Sequence, residues 1–576
     1  MVKRKIILPK LCSILLVMSL FACSPSKEGQ ALGPEPVDYI DPIIGAITYG
    51  EKSKDAHGFG KTFPGAATPF GLVQLSPDTY TGGDNGSGYS YEHKTMEGFG
   101  FTHMSGVGWF GDLGNFLVTP TTGKLQTNRG VPENPEGGYR SRYSHDTEVT
   151  KAGYYAVSLD DHKIRAELTA APRAGIIRFT YPENNNSRIQ IDLSRRVGGT
   201  STEQYIKVVN ENTIEGWMKC PPEGGGWGGG DGNADYVVYF HCQFSKPLKE
   251  YGIWSADIPD VPRKMRFIAQ EDYQLAVKNA EIFPSKEEMQ GKHLGFYTNF
   301  NTREGEEVLV KSGISFVSIA GARENLEHDI DHWDFDRTRE EARDSWNKAI
   351  KDVEVSGGTE DEKTIFYTAL YHTMIDPRTF SDVNGNYIGA DKKIHQTTNF
   401  TYRTIFSGWD VFRSQFPLQT IINPNLVNDE INSLLQMAEL SGREYLPRWE
   451  MLNSYSGCML GNPAVSVIVD AYEKGIRNYV LKRLSPILKI RWIIPAMEPW
   501  DIPMAIFPKP WNTLIPIGPW VLWPTHWAKG KWAGNTLQKV KITATFGIRR
   551  LIGLGQKIVL AIGWNGKGKR FMDKVV

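Results

Sequence analysis

Cysteine is scarce in this chain. There are five in 576 residues, and two of them, Cys12 and Cys23, stand in the N-terminal leader. That leaves Cys220, Cys242 and Cys458, with no Cys-x-x-Cys pair, which argues against a cysteine zinc site. Cys220 and Cys242 are candidates to pair in an oxidising compartment, although spacing alone does not establish it. An excess of either charge is also lacking: 65 basic residues balance 65 acidic ones, which argues against a nucleic-acid binder. Long apolar runs are absent too. The apolar stretch Leu11 to Leu20 is too short to span a bilayer as a mature helix.

What is present at the N-terminus reads as an export signal. Lys3, Arg4, Lys5 and Lys10 precede the apolar stretch, which ends in Leu20-Phe21-Ala22-Cys23-Ser24, similar to a bacterial lipobox. Residues 1–22 are therefore expected to be a lipoprotein signal peptide, with Cys23 as the lipidated first mature residue anchored to membrane. Residues 23–36 follow as a tether. A simple cleaved signal is the second reading. The expected location is periplasmic or on the outer-membrane surface.

The length calls for two or more domains. From Val37 to about Phe316, apolar residues alternate along Tyr155-Val157-Leu159, Ile164-Ala166-Leu168, Ile189-Ile191-Leu193 and Tyr236 to Phe244. Such runs, cut by Gly, Asn, Asp and Pro, predict an antiparallel β-sandwich over 37–318. A charged stretch over 319–350 predicts a solvated linker helix. Helical periodicity then dominates 351–480. Phe366, Ala369, Leu370 and Thr373 share one face; Ile431, Leu434, Leu435 and Ala438 share another, and Val465, Ile468, Val469 and Tyr472 a third, with Gly475 as a C-terminal cap.

Three motifs fall short of the chemistry they imitate. The glycine run Gly224 to Gly230 has no helix after it to hold a phosphate, and is expected to be a loop presenting Trp227. In His328-Asp329-Ile330-Asp331-His332, Asp329 stands where a zinc protease needs Glu. Asp382 to Tyr387 begins like a calcium loop, then places Tyr387 where Gly is required, and is expected to be a turn.

Residues 481–576 differ from everything before them. They hold sixteen Lys and Arg against Glu498, Asp501 and Asp573, and eight of the 16 Trp. Nine prolines between Pro486 and Pro524 forbid a regular helix there. A shift of reading frame accounts for so abrupt a change; the competing account is a basic, aromatic tail that binds membrane or glycan.

The stretch richest in chemistry runs from Ile405 to Glu450. Trp409-Asp410 with Arg413 opens it, and Arg448-Trp449-Glu450 closes it. Each end sets an aromatic plane beside a carboxylate and a guanidinium, the set that grips a sugar by its apolar face and its hydroxyl rim.

Longer motifs carry a resemblance. Tyr39 to Gly45, Phe63-Pro64-Gly65-Ala66, Pro69 to Thr79, Gly88-Tyr89-Ser90-Tyr91 and Gly98 to Gly106 occur in order, followed by Phe366 to His372, Trp409-Asp410, Leu446-Pro447-Arg448-Trp449 and Asp470 to Ile476. Over roughly Val37 to Tyr479 the chain resembles glycoside hydrolase family 92, the exo-acting, calcium-dependent bacterial α-mannosidases. The resemblance implies a β-sandwich followed by an (α/α)6 barrel, here incomplete, with the site between them. It also implies inverting hydrolysis of mannose from N-glycans or mannans, of α-1,2 type, with calcium assisting at the −1 sugar.

Inversion needs an acid and a base about 6.5–9.5 Å apart. The family's Glu-Gly-Asn-Ala-Trp, Gly-Asn-Glu-Pro and Gly-Asn-Asp-Asp runs, which the resemblance makes carriers of those groups, do not occur between Leu481 and Val576. No catalytic residue is therefore assigned, the calcium ligands are expected to be largely missing, and this polypeptide is expected to be inactive. Substrate-holding candidates are Trp409, Asp410, Arg413, Arg448 and Trp449, with Asp78, Thr102, His103 and Ser105 from glycine-bounded turns of the sandwich. Glu450 and Glu92 are weaker candidates. A carbohydrate-binding surface lipoprotein without catalysis is the main alternative. A phosphorylase of the same architecture is a third.

Overall fold

The computed structural model describes residues 34–47, 62–79, 87–105, 113–197, 199–220, 234–256, 277–442, 446–455 and 461–479, with the backbone of 558–565 and 569–575. The leader with Cys23, the Trp227 loop, Cys458 and most of 481–576 lie outside these residues.

The alternating segments form strands whose apolar residues are buried, some with alternate burial, as in Ile164–Ala170, and some buried on both faces, as in the second half of Asn184–Asp192. They assemble into two antiparallel sheets. One, of eight strands, runs in the order Ala66–Ala67, Gln74–Asp78, Gly98–Gly100, Leu117–Thr122, Asn184–Asp192, Leu294–Thr302, Glu250–Ser255, Glu281–Pro284. The other, of nine, runs Glu288–Gly291, Glu203–Asn210, Thr213–Cys220, Tyr236–Phe244, Glu306–Ser315, Ala174–Tyr181, Ile164–Ala170, Tyr154–Leu159, Val149–Lys151. Their inner faces meet through pairs such as Phe99 with Phe179 and Phe244 with Phe296, each with ring centroids 6.1 Å apart. This is the expected sandwich.

Cys220 and Cys242 are buried free thiols. They lie on neighbouring strands, but Cys220 faces Tyr236 and Cys242 faces Ile214. Six register positions separate them, roughly 20 Å along the strand, far beyond disulfide reach.

The charged stretch forms two helices in place of one linker. Ile319–Asp329 starts at Ser318, whose hydroxyl accepts from the Gly321 N–H, and Phe335–Ile350 starts at Asp334, which accepts from Arg337. The first is not a solvated rod. Its Ala322 and Leu326 lie on the outer face of the nine-stranded sheet, so close that a Cβ on Gly313 would stand 2.1 Å from the Ala322 carbonyl. His328 is exposed and His332 lies beyond the helix end, so the two histidines share no helical face.

Five further helices follow among the described residues: Glu360–His372, Gly408–Val411, Gln415–Ile422, Pro424–Leu440 and Pro463–Glu473. With the hairpins between them they form the opening part of a helical barrel. In Pro424–Leu440 the expected face of Ile431, Leu434, Leu435 and Ala438 is fully buried. In Glu360–His372 the buried face is rotated: Tyr367, Leu370 and Tyr371 point inward, Phe366 is half-buried and Ala369 faces solvent. Large phenols bury more surface than Ala369, so they set the rotation. Gly475 adopts φ +86 and the Ile476 N–H donates to the Ala471 carbonyl, a C-terminal cap. Asp382 to Asn386 makes the expected turn, Gly385 at φ +83 donating to the Asp382 carbonyl.

The described tail backbone forms a hairpin, Ile558–Asn565 with Lys569–Val575, whose first strand runs parallel to Val353–Ser356.

Candidate functional site

The sandwich and the helices meet along a packed joint. Trp346, completely buried, donates from its indole N–H to the Ala67 carbonyl at 2.6 Å and packs against Tyr371, centroids 4.3 Å apart. Arg173 Nε donates to the Ser381 carbonyl at 3.0 Å, and Phe316 meets Phe380 at 4.9 Å. Asp382 accepts from Ser315 Oγ and Asn325 Nδ2, each at 2.8 Å; burial pushes its carboxyl up to about 6.

The Trp409-Asp410 and Arg448-Trp449 motifs meet in space. Phe406–Ser407 pairs antiparallel with Trp449–Met451, so that Ser407 faces Trp449 and Phe406 faces Glu450. The Trp409 N–H donates to the Arg448 carbonyl at 3.3 Å. A Cβ on Gly408 would stand 2.9 Å from that same oxygen, which is why glycine opens the helix. Trp409 and Trp449 are half-buried, while Asp410 and Arg413 are exposed. Asp410 Oδ2 accepts from Ser407 Oγ at 2.6 Å, leaving its other oxygen for a hydroxyl. Arg413 lies over the Phe412 ring at 4.9 Å. Arg448 donates to the Gly461 carbonyl at 3.3 Å and lies over Tyr455 at 5.6 Å.

Glu450 has a different task. It is buried and accepts from Thr404 Oγ1 at 2.8 Å, the Ile405 N–H at 2.9 Å and the Asn453 N–H at 2.5 Å. Burial raises its carboxyl to about 7 against those bonds. It braces the strands that carry the motifs.

The sandwich candidates turn inward. Asp78, Thr102 and His103 are all at most 1% exposed. Asp78 accepts from His103 Nε2 at 3.1 Å and from Arg195 Nη2 at 2.8 Å; Arg195 also reaches Glu97 at 3.1 Å, and Glu97 takes Arg140 at 2.5 Å. Thr102 Oγ1 accepts from the Asn115 N–H at 3.0 Å. The flanking glycines admit this network rather than a ligand. A Cβ on Gly88, at φ +76, would stand 2.1 Å from Asp78 Oδ1, and one on Gly100 2.8 Å from Asp78 Oδ2. Both Asp78 oxygens are thus engaged within the fold, a satisfied buried charge. Ser105 and Glu92 are half-buried.

Arg378, which sequence reasoning did not single out, joins the halves. Its guanidinium holds Asp376 through bonds of 2.7 and 3.0 Å, and it donates to Gln74 Oε1 and to the His103 carbonyl across the joint. Arg195 and Glu97 were also missed. The one available signal was two arginines, Arg195-Arg196, set among apolar strand residues, where an unpaired cation is not tolerated.

Among the described residues no three His, Cys, Asp or Glu side chains stand close enough to hold a metal ion. Among the described residues the acidic side chains do not gather into the several-oxygen set that a calcium site needs.

Family models of two domains match this chain: the glycosyl hydrolase family 92 N-terminal domain over residues 39–315 and the family 92 catalytic domain over 321–489. A curated protein of Arthroderma benhamiae, described as an uncharacterized secreted glycosidase, is 26% identical over 65% of this chain and 45% of its own. A GH92 α-mannosidase of Bacteroides thetaiotaomicron is 34% identical with a TM-score of 0.68, over 79% of this chain and 57% of that one. It has also been solved with mannoimidazole. A GH92 inverting mannosidase of the same bacterium is 25% identical with a TM-score of 0.63, over 78% of this chain and 54% of that one. The chain thus spans about half the length of the relatives it matches.

Proposed function

Because the chain belongs to glycoside hydrolase family 92 over residues 39–489, we propose that it is an α-mannosidase by descent that still grips a terminal mannose but does not hydrolyse it. The observation that carries this reading is the pairing of Phe406–Ser407 with Trp449–Met451, which gathers Trp409, Asp410, Arg448 and Trp449 into one wall. In this reading Asp410 accepts from sugar hydroxyls, Arg448 and Arg413 donate to them, and the indoles receive the apolar ring face.

The family match stops at 489 while the chain continues to 576 with a basic, Pro- and Trp-rich sequence. Inverting hydrolysis needs two separated carboxyl groups, one protonated and one ionised. The one carboxylate assigned to the wall, Asp410, holds sugar hydroxyls in this reading, so the wall supplies neither the acid nor the base. The export reading goes with this one: the Arthroderma benhamiae relative is described as secreted, and Cys23 would tether the domain to a membrane outside the cytoplasm.

Purified protein incubated with α-1,2-linked mannobiose and calcium should release no mannose, yet bind the disaccharide in titration calorimetry. Asp410→Ala should abolish that binding. Turnover above that of a mock preparation would overturn the loss of catalysis, and absence of binding would overturn the wall. Resequencing the gene around codon 480 should reveal a one-base insertion or deletion.

A further inference from the structure

Two helices cover much of the outer face of the nine-stranded sheet and leave its Glu288–Gly291 edge uncovered among the described residues. Helices Ile319–Asp329 and Phe335–Ile350 lie over Ala174 and Ile176, which are buried beneath Leu326, Ile330 and Phe335. Helix Ile319–Asp329 still reaches Tyr236–Phe244 and Thr213–Cys220, and toward the edge strand Glu288–Gly291 no helix covers the sheet among the described residues. There the register aligns a row across four strands: Gln290 faces Tyr205, Tyr205 faces Trp217, and Trp217 faces Tyr239. All three aromatics are half-buried, whereas their sequence neighbours Gln204, Ile206, Gly216, Met218, Val238 and Phe240 are buried on the inner face. The row therefore looks outward. Tyr205 and Trp217 stack, 20° from parallel with centroids 6.1 Å apart.

Polar groups frame the row on both sides. Glu288 accepts from the Tyr205 hydroxyl at 2.7 Å, and Glu203 accepts from Gln290 Nε2 at 2.8 Å. On the helix side Glu215 is fixed by Arg323 at 2.7 Å and His241 at 3.2 Å. At the open end Thr202, Glu203, Gln290, Gly291 and Lys292 line a cavity of about 560 Å³.

We propose that this face is a second, non-catalytic glycan-binding surface, with Tyr205, Trp217 and Tyr239 as its platform and Glu203 and Gln290 as hydroxyl partners. The surface is too mixed in charge for nucleic acid and too small and polar-rimmed for a lipid anchor. Aromatic faces beside fixed carboxylates and an amide match a pyranose, apolar on one face and ringed by hydroxyls. Three strands at about 4.8 Å spacing make the platform roughly 10 Å long, which suits a short oligosaccharide rather than one sugar. A cross-strand aromatic row also strengthens the sheet, but that role needs neither the open face nor the cavity beside it. The choice of mannan as ligand rests on the mannosidase ancestry; the surface itself does not.

The test is affinity electrophoresis of the full chain through gels containing soluble α-mannan. The Asp410→Ala, Arg448→Ala double variant, with its wall disabled, should still be retarded. Adding Trp217→Ala to it should weaken the apparent affinity about tenfold, the loss expected for one stacking ring. If thermal melting shows that Trp217→Ala unfolds the sheet, Tyr205→Ala with Gln290→Ala carries the same expectation. No retardation of the double variant, or retardation unchanged by the platform substitutions, overturns the proposal. Mannobiose binding at the wall is read separately, so the two readings fail independently.

Discussion

Glu430 offers the sharpest test of the helical half. It lies on Pro424–Leu440, is 0% exposed, and no donor among the described residues reaches either carboxylate oxygen. Burial raises its pKa to about 8, and the Arg403 guanidinium, which pairs with Asp429 at 3.4 Å, offsets this only in part. The folded carboxyl therefore keeps its proton up to about pH 8, while the unfolded one releases it near 4.5. Between those values the unfolded state binds fewer protons, so stability falls as pH rises, by about 1.4 kcal/mol per pH unit. The full cost above pH 8 is about 5 kcal/mol. Glu430→Gln keeps the shape and cannot ionise. Urea unfolding followed by tryptophan fluorescence should show the variant's advantage growing by about 4 kcal/mol between pH 5 and pH 9. Titrations common to both proteins cancel in the difference. Stability curves that run parallel from pH 5 to pH 9 would refute the account of Glu430 as a buried, unsolvated acid.

Arg195→Met should destabilise the sandwich by roughly 3–5 kcal/mol, because Asp78 and Glu97 keep their buried charges and lose a shared partner; urea midpoints measure it. Gly88→Ala should fail to give soluble protein, since its Cβ meets Asp78 Oδ1 on a backbone at φ +76. Ile365 is 60% exposed beside exposed Ala369, an apolar patch open to solvent. Ile365→Lys should therefore lower light scattering at a given concentration while leaving the melting temperature within about 2 °C.

The sandwich was legible because strand burial has a period of two and the chain obeys it: Tyr155, Val157, Leu159, Ile164, Ala166 and Leu168 are all buried. The wall candidates come together for a different reason. Each end of the stretch sets a Trp beside a carboxylate and an arginine, and one strand pairing brings the two ends side by side. The sandwich candidates misled because glycine beside Asp78 and His103 announces a close approach without saying what approaches. Here it is the network's own side chains. The rotated face of Glu360–His372 was hidden because Phe366 and Ala369 satisfy helical spacing as well as Tyr367 and Tyr371 do. Contacts across the joint, such as Arg378 to the His103 carbonyl, span 275 residues, and no local pattern encodes them.

Arg378 also bears on how this molecule can be divided. One guanidinium carries contacts to both halves, and the Trp346 indole donates into the sandwich from the helical side. A protease cutting between Ser315 and Ile319 would leave two fragments, each exposing polar groups that only the other satisfies. The expected product of such a nick is a clipped protein that stays together until denatured. The sandwich and the helices are thus two folding units but a single mechanical body.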